Sequence, residues 1–276
     1  MATNPFAGRV DEMLASQMTF NLVTKIQFKI RLMKIINVFG IKFYDGDFRF
    51  VYSQISKGGL LVAPSGPGLA NLKDQRYYNS LVNSDVAILD SGLLCLLIKT
   101  FTKFSVKKLS GYKFLNLLLD QLKLVKKIKI FTIDPSKEDS LSNKKYLNSI
   151  GVDIKNCQYI APFYDEIEDK LLLSLIIEAR PKVILINLGG GIQEPLGFYL
   201  KQQLKYKPII ICTGAAISFL TKKQAPISAM IDKFYLGWML RCIYNPKAFL
   251  PRYFKSLALI LSFFKAKKNI VCEFVR

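Results

Sequence analysis

The sequence predicts an α/β fold, a mostly parallel sheet with helices on both faces, followed by a basic, amphipathic helical appendage at the C-terminal end. Three observations predict it. Short, apolar, β-branched runs such as Val183–Ile186 suit strands buried on both faces of a parallel sheet. These runs alternate with helix-length segments over most of the chain, the spacing of βαβ units in a Rossmann-like sheet. Near Pro226 the alternation stops, and the segment after it interleaves apolar residues with lysines and arginines. A length of 276 residues accommodates one large domain with an appendage. The expected organisation is an N-terminal extension over 1–36, an α/β domain over 37–225 and the helical appendage over 226–276.

In the extension, Ile26, Phe28, Ile30 and Leu32 alternate with Gln27, Lys29 and Arg31. That is a strand with a basic outer face, and a membrane-surface helix is the competing reading. Val38–Phe43 is a short strand, and Asp45-Gly46-Asp47 turns into a helix that Gly58-Gly59 breaks. Leu60–Ala63 is a strand, and Pro64-Ser65-Gly66-Pro67-Gly68 is a loop before a helix to about Val82. Val86–Leu89 is a strand ending at Asp90-Ser91-Gly92, with one helix to about Thr102 and another over Tyr112–Lys126. The pattern repeats: strand Ile128–Ile133 with helix Glu138–Ile150, then strand Ile154–Ile160 with helix Asp165–Ala179. The last units are a strand from Val183, a helix to about Tyr206, and the strand Pro208–Cys212. In the tail, Ile227–Ile243 and Pro246–Lys268 are helical, with a strand only in the last few residues.

Composition narrows the function. The chain is 51% hydrophobic and carries 40 Lys and Arg against 20 Asp and Glu, a net charge of +20. Mean hydropathy is +0.23. An apolar, basic chain fits an anionic surface. No run reaches the roughly 20 apolar residues that cross a bilayer, and Met1–Arg9 lacks the pattern of a signal peptide. The expected location is the cytosol or the cytosolic face of a membrane. There is no histidine, which excludes Ser-His-Asp and Cys-His catalysis and imidazole metal ligands. Acid–base work falls to Asp, Glu, Tyr, Lys or Cys. The five cysteines are scattered without a CxxC pair, against a zinc site or a disulfide framework.

The stretch Val183–Glu194 ends its apolar run at Gly189-Gly190-Gly191, and Gln193-Glu194 open a helix. Glycines let a backbone approach a ligand closely, and a helix start attracts phosphate. This marks a nucleotide or sugar-phosphate site at a strand's carboxyl end, with a plain tight turn as the other reading. Asp90 also ends a strand, where a carboxylate can take a proton from a hydroxyl; on local pattern the stronger reading is a helix N-cap. Asp45-Gly46-Asp47 has the Asp-x-Asp form of a metal-diphosphate site, but turn and cap chemistry is favoured. Lys107-Lys108 before Ser110-Gly111 are either phosphate contacts or solvated cations. In the tail, Phe249, Leu250, Tyr253, Phe254, Leu257, Ile260, Leu261 and Phe264 accompany Lys247, Arg252, Lys255, Lys265, Lys267 and Lys268. They fit a helix lying in a headgroup layer, or one docked on the protein's own core.

Taken in order, these pieces resemble the WecG/TagA/CpsF family, glycosyltransferase family 26, over about Val38–Tyr253. Gly189-Gly190-Gly191-Ile192-Gln193-Glu194 resembles the family's Gly-x-Pro-x-Gln-Glu, and Leu89-Asp90-Ser91-Gly92 its Pro-Asp-Gly. Lys108-Leu109-Ser110-Gly111 stands for Arg-x-x-Gly, and Ala225-Pro226, Trp238-Met239-Leu240-Arg241, Pro246-Lys247 and Arg252-Tyr253 for the C-terminal signature. The resemblance implies an inverting transferase that moves a sugar from a UDP-sugar to a lipid-linked, polyprenyl-diphosphate acceptor in bacterial surface-polysaccharide assembly. It implies no cofactor and no metal, and peripheral attachment to the cytoplasmic face of an anionic membrane. Asp90 takes the general base's place. Ser65, Lys108, Gly111, Gly189, Gly190, Gln193, Glu194 and Ser218 take donor-binding places, and Arg241, Lys247 and Arg252 the acceptor and membrane side. A homo-oligomer is compatible with the apolar tail.

The chain departs from the family at Ala63, where threonine is common, and at Ser65, where asparagine is. Ala215-Ala216-Ile217-Ser218 replaces Gly-Ala-Phe-Asp, and Gly237 replaces a glutamate. These departures motivate a rival, a non-catalytic member that organises an assembly complex. No recognisable nucleic-acid-binding motif is present, so no nucleic-acid partner is expected. A dinucleotide oxidoreductase lacks its G-x-G-x-x-G.

Overall fold

A computed structural model describes residues 33–125, 128–152, 154, 157–221, 242–243 and 246–275, apart from the side chains of 33, 248, 249, 252 and 275. Almost all of these residues lie in the compact unit Lys34–Glu273. The alternating pattern 26–32 lies outside the described residues, as does all of the predicted helix 227–243 except its last two positions.

Among the described residues the strands are β1 (Met33–Val38), β2 (Ile41–Asp45), β3 (Gly59–Val62), β4 (Val86–Ile88), β5 (Ile130–Asp134), β6 (Gln158–Ile160), β7 (Val183–Ile186), β8 (Ile209–Cys212) and β9 (Val271–Val275). They form one sheet in the order β6-β5-β7-β8-β3-β4-β2-β1-β9. Every pairing from β6 to β2 is parallel, and β1 and β2 form an antiparallel hairpin. The helices are α1 (Phe48–Ile55), α2 (Gly66–Leu69), α3 (Gln75–Val82), α4 (Gly92–Phe101), α5 (Gly111–Lys123), α6 (Lys137–Ser149), α7 (Lys170–Ala179), α8 (Gln193–Gln203), α9 (Ala216–Leu220), α10 (Pro246–Lys255) and α11 (Ala258–Ala266).

Side chains alternate across each central strand and so fill two cores. Leu60, Val62, Ile184, Ile186 and Ile210 face one core with α3, α4, α7, α8 and α11. Leu61, Val183, Leu185, Ile209 and Ile211 face the other with α1, α5, α6 and α9. This is the predicted α/β architecture, a mostly parallel Rossmann-like sheet with helices on both faces and a helical C-terminal segment. Short polar side chains start the helices by capping: Asp47, Asp74, Ser91, Ser110, Ser136 and Asp169 each accept a backbone N–H of the following first turn.

The expected single strand Val38–Phe43 is instead split by a two-residue turn. Phe39 and Gly40 both have positive φ, 59° and 81°, the requirement of a type I′ hairpin. Phenylalanine is an uncommon residue for that conformation, so the turn has no conventional composition signal. The expected strand Ile154–Ile160 forms only over Gln158–Ile160, because the Cys157 N–H turns back to the Ile154 carbonyl. The helix expected from Asp165 starts after Asp169, whose carboxylate caps Leu172 N–H.

Of the tail's two readings, docking on the protein's own core is the one α11 displays. Leu259 and Phe263 of α11 are wholly buried in the first core. Each is worth about 1.5–3 kcal/mol of burial, enough to dock the segment without any lipid. The opposite side stays apolar and exposed at Leu250, Phe254, Leu257, Leu261 and Phe264.

Candidate active site

The carboxyl ends of β7, β8, β3 and β4 stand side by side in the sheet. Asp90 follows β4, and its Oδ1 accepts the Gly111 N–H at 2.9 Å. Gly111 opens α5, so a helix N-terminus is aimed at a half-buried carboxylate, the favourable end of the helix dipole for an anion. The expected N-cap role of Asp90 is corrected: Ser91 caps α4 by accepting Leu94 N–H at 3.2 Å. That leaves Asp90 to span from β4 to a different helix. Gly111 itself is wedged between strand ends. A Cβ there would lie 3.3 Å from Ala63 Cβ and from the Cβ and carbonyl oxygen of Thr213.

The glycine turn follows β7. Gly191 needs its glycine for a φ of 94°. Gly189 and Gly190 have ordinary room: a Cβ on Gly189 would meet nothing within 4 Å, and one on Gly190 only Glu194 Oε1 at 3.9 Å. Among the described residues, no packing demands bare backbone at those two positions. Beneath the turn, Gln193 and Glu194 are 2% and 1% exposed. Glu194 Oε2 accepts Gly191 N–H at 2.8 Å and Oε1 accepts Gln193 Nε2–H at 3.0 Å. Gln193 Oε1 in turn accepts Gly214 N–H at 2.8 Å, tying the turn to the end of β8. Burial pushes the Glu194 carboxyl up from its ordinary range, against the lowering pull of these hydrogen bonds. The pair therefore shapes the turn from below.

A second buried network supports the same strand ends and has no counterpart in the sequence motifs. Asp134, fully buried at the end of β5, accepts Asn143 Nδ2–H at 2.7 Å, Asn187 Nδ2–H at 2.8 Å and Thr132 Oγ1–H at 3.0 Å. Asn187 begins the segment that carries the glycines, so β5 fixes the take-off of the turn. Asp134 looks like a loop residue in sequence, and only its parallel pairing beside β7 reveals the contact.

Beside the turn lies an open cavity of about 530 Å³. Ser65, Asn71 and Tyr77 line one side, Gly190 and Gly191 another, and Lys255 of α10 a third. Tyr77 is buried against this cavity, and burial raises its phenol well above the usual value. Asp90 connects to the glycine turn through backbone: it holds Gly111, Gly111 packs against Thr213, and the next residue, Gly214, donates to Gln193 beneath the turn.

The other expected site residues scatter in their support. Lys108 precedes Leu109, whose N–H donates to the Leu89 carbonyl at 3.1 Å, so it stands beside the end of β4. Ser218 lies within α9, past β8. Lys247 is exposed on α10. Arg252 is on the same helix with its side chain outside the described residues, and Arg241 and Gly237 lie outside them altogether. Asp45 and Asp47 do turn and cap work: Asp45 accepts Lys107 N–H at 2.7 Å and pairs with Lys34 at 3.5 Å, while Asp47 accepts Phe50 N–H at 3.3 Å. Among the described residues, no three His, Cys, Asp or Glu converge as metal ligands, and no helix is long and apolar enough to cross a membrane.

No curated protein matches the chain. The model of the glycosyl transferase WecG/TagA/CpsF family matches residues 36–271, a wider span than the motifs alone cover, taking in the second half of β1, β2 and all of α11. With the α/β sheet, the strand-end carboxylate and the glycine turn in family order, the chain belongs to the WecG/TagA/CpsF glycosyltransferase family.

Proposed function

We propose that this protein is an inverting glycosyltransferase that moves a sugar from a UDP-sugar to a lipid-linked, polyprenyl-diphosphate acceptor. It works on the cytoplasmic face of the membrane and needs neither a cofactor nor a metal. The observation that carries the reading is that Asp90 and the Gly189–Gly191 turn leave the same end of one parallel sheet, with a cavity beside the turn large enough for a sugar. Asp90 takes the proton of an acceptor hydroxyl, whose oxygen attacks the anomeric carbon from the side opposite the nucleotide. The bond from that carbon to the UDP oxygen breaks with inversion. Charge on the departing diphosphate is met by the backbone N–H groups of the glycine turn and by Lys108. Gly111 supports the step by holding one oxygen of Asp90 at 2.9 Å. On this reading Ser65 and Ser218 contact donor or sugar, while Arg241, Lys247 and Arg252 serve the acceptor and membrane side.

Asp90→Asn keeps an oxygen for Gly111 N–H and removes the base. The expected result is an unchanged thermal midpoint and a loss of turnover of about 10²–10⁴-fold, measured by mass spectrometry with UDP-sugars and a lipid-linked acceptor pool. Unchanged turnover removes Asp90 from the mechanism. The departures at Ala63, Ser218 and Gly237 favour the second reading, a non-catalytic assembly protein. Ligand-observed NMR separates the two, since absence of UDP binding at millimolar concentration supports the assembly role.

A further inference from the structure

Tyr77 is 1% exposed, and its hydroxyl has no hydrogen-bond partner among the described residues. Buried hydroxyls are nearly always satisfied, and a phenylalanine would fill the same core space without an orphaned oxygen. The ring is held firmly: it opens α3, where Asp74 accepts the Arg76 and Tyr77 backbone N–H groups at 3.0 and 3.2 Å. Its oxygen also has a reserved approach. A Cβ on Gly68 would fall 2.4 Å from Tyr77 Oη, so any residue but glycine would cover or displace it. Tyr77 and Gly68 both line the cavity that the glycine turn and Lys255 share. The hydroxyl is sealed from bulk water, and the cavity that Tyr77 and Gly68 line runs beside it. Burial, and after it the charges of Glu194, Asp90 and Asp74, oppose its ionisation and keep it a hydrogen-bond donor.

We propose that Tyr77 donates a hydrogen bond from its hydroxyl to an oxygen of a diphosphate-linked sugar bound in this cavity, and that Gly68 is glycine to leave that oxygen room. The class of ligand rests on the glycosyl-transfer reading; the binding role of Tyr77 rests on the orphaned donor and the cavity. Two molecules offer the shared chemistry of a pyranose on a diphosphate, a nucleotide-sugar donor and a prenyl-linked acceptor.

The test uses the full chain labelled with carbon-13 at the tyrosine Cζ, with the Tyr77 signal assigned by its disappearance in Tyr77→Phe. One arm titrates UDP-glucose and UDP-N-acetylglucosamine; the other titrates farnesyl-diphosphate-linked N-acetylglucosamine in detergent. The Tyr77 signal is expected to move in one arm, which identifies the source. Tyr77→Phe is expected to weaken that ligand about five- to tenfold while its thermal midpoint stays level or rises. A stationary Tyr77 signal in both arms, or equal affinity in the variant, overturns the proposal. A wild-type protein that transfers no sugar but still shifts Tyr77 sinks the catalytic reading and leaves this one standing.

Discussion

Glu194 is a carboxylate enclosed by protein, with both oxygens bound to groups of its own turn. Burial raises its pKa above the ordinary 4.5. The sign of the linkage follows: its stabilising contribution is complete below the unfolded value and is lost as pH rises through the folded one. Glu194→Gln adds a pH-independent offset, because an amide donor must face the Gly191 or Gln193 N–H. The slope therefore reports Glu194. Urea unfolding from pH 4 to pH 7 is expected to show wild type losing stability relative to Glu194→Gln as pH rises; a flat difference contradicts a raised pKa. At this scale the sequence was partly legible. The motif flagged Gln193 and Glu194, but their place beneath the turn is fixed through Gly214, 21 residues beyond Gln193. Tyr77 carried no signal, since an aromatic at helical spacing is indistinguishable from ordinary core.

At the scale of elements, two glycines of one neighbourhood behave oppositely. Gly197 sits inside α8, where alanine is intrinsically better by about 1 kcal/mol. A Cβ there would meet Leu60 Cδ1 at 2.7 Å and Cys212 Sγ at 2.8 Å, across the contact of α8 with β3 and β8. Overpacking of that kind costs about 1–3 kcal/mol, so it outweighs propensity. Gly197→Ala is expected to lower the thermal midpoint by several degrees. Gly189→Ala meets nothing and is expected to leave the midpoint within a degree or two while weakening UDP-sugar binding, measured by calorimetry. Equal affinity in that variant would mean the turn is merely a turn. Strand existence was legible because buried parallel strands are short, wholly apolar runs. The hairpin at Phe39-Gly40 was not, because its turn needs a backbone conformation that phenylalanine does not advertise. The shortened β6 was hidden for a similar reason: Ile154 is apolar and buried, yet belongs to a turn.

For the whole molecule, the proposed membrane contact falls to the tail. Leu250, Phe254, Leu257 and Leu261 are 42%, 68%, 54% and 69% exposed. Exposed lysines 247, 255, 265, 267 and 268 lie on the same segment, each worth about 1 kcal/mol near anionic lipid. Because Leu259 and Phe263 are core residues, deleting the segment would uncover the fold as well as any anchor. Substitution of the exposed set is the cleaner experiment. Leu250→Ser, Phe254→Ser and Leu261→Ser together are expected to abolish co-sedimentation with phosphatidylglycerol vesicles without lowering the thermal midpoint. Retained sedimentation at moderate salt refutes the anchor. The tail's composition announced apolar and basic residues side by side, while the assignment of each residue to core or surface required the docking of α11 against α2 and α4. That docking also has a consequence for the nascent polypeptide. A ribosome building the chain from its N-terminus at about 5–20 residues per second completes β8 well before Lys255, Leu259 and Phe263 emerge. Until they do, the hollow around Leu69 and Leu94 gapes and the cavity beside the glycine turn lacks a wall. Completion of this core thus waits on residues 255–263, and a product stalled before them would present a greasy scar to chaperones in place of a closed fold.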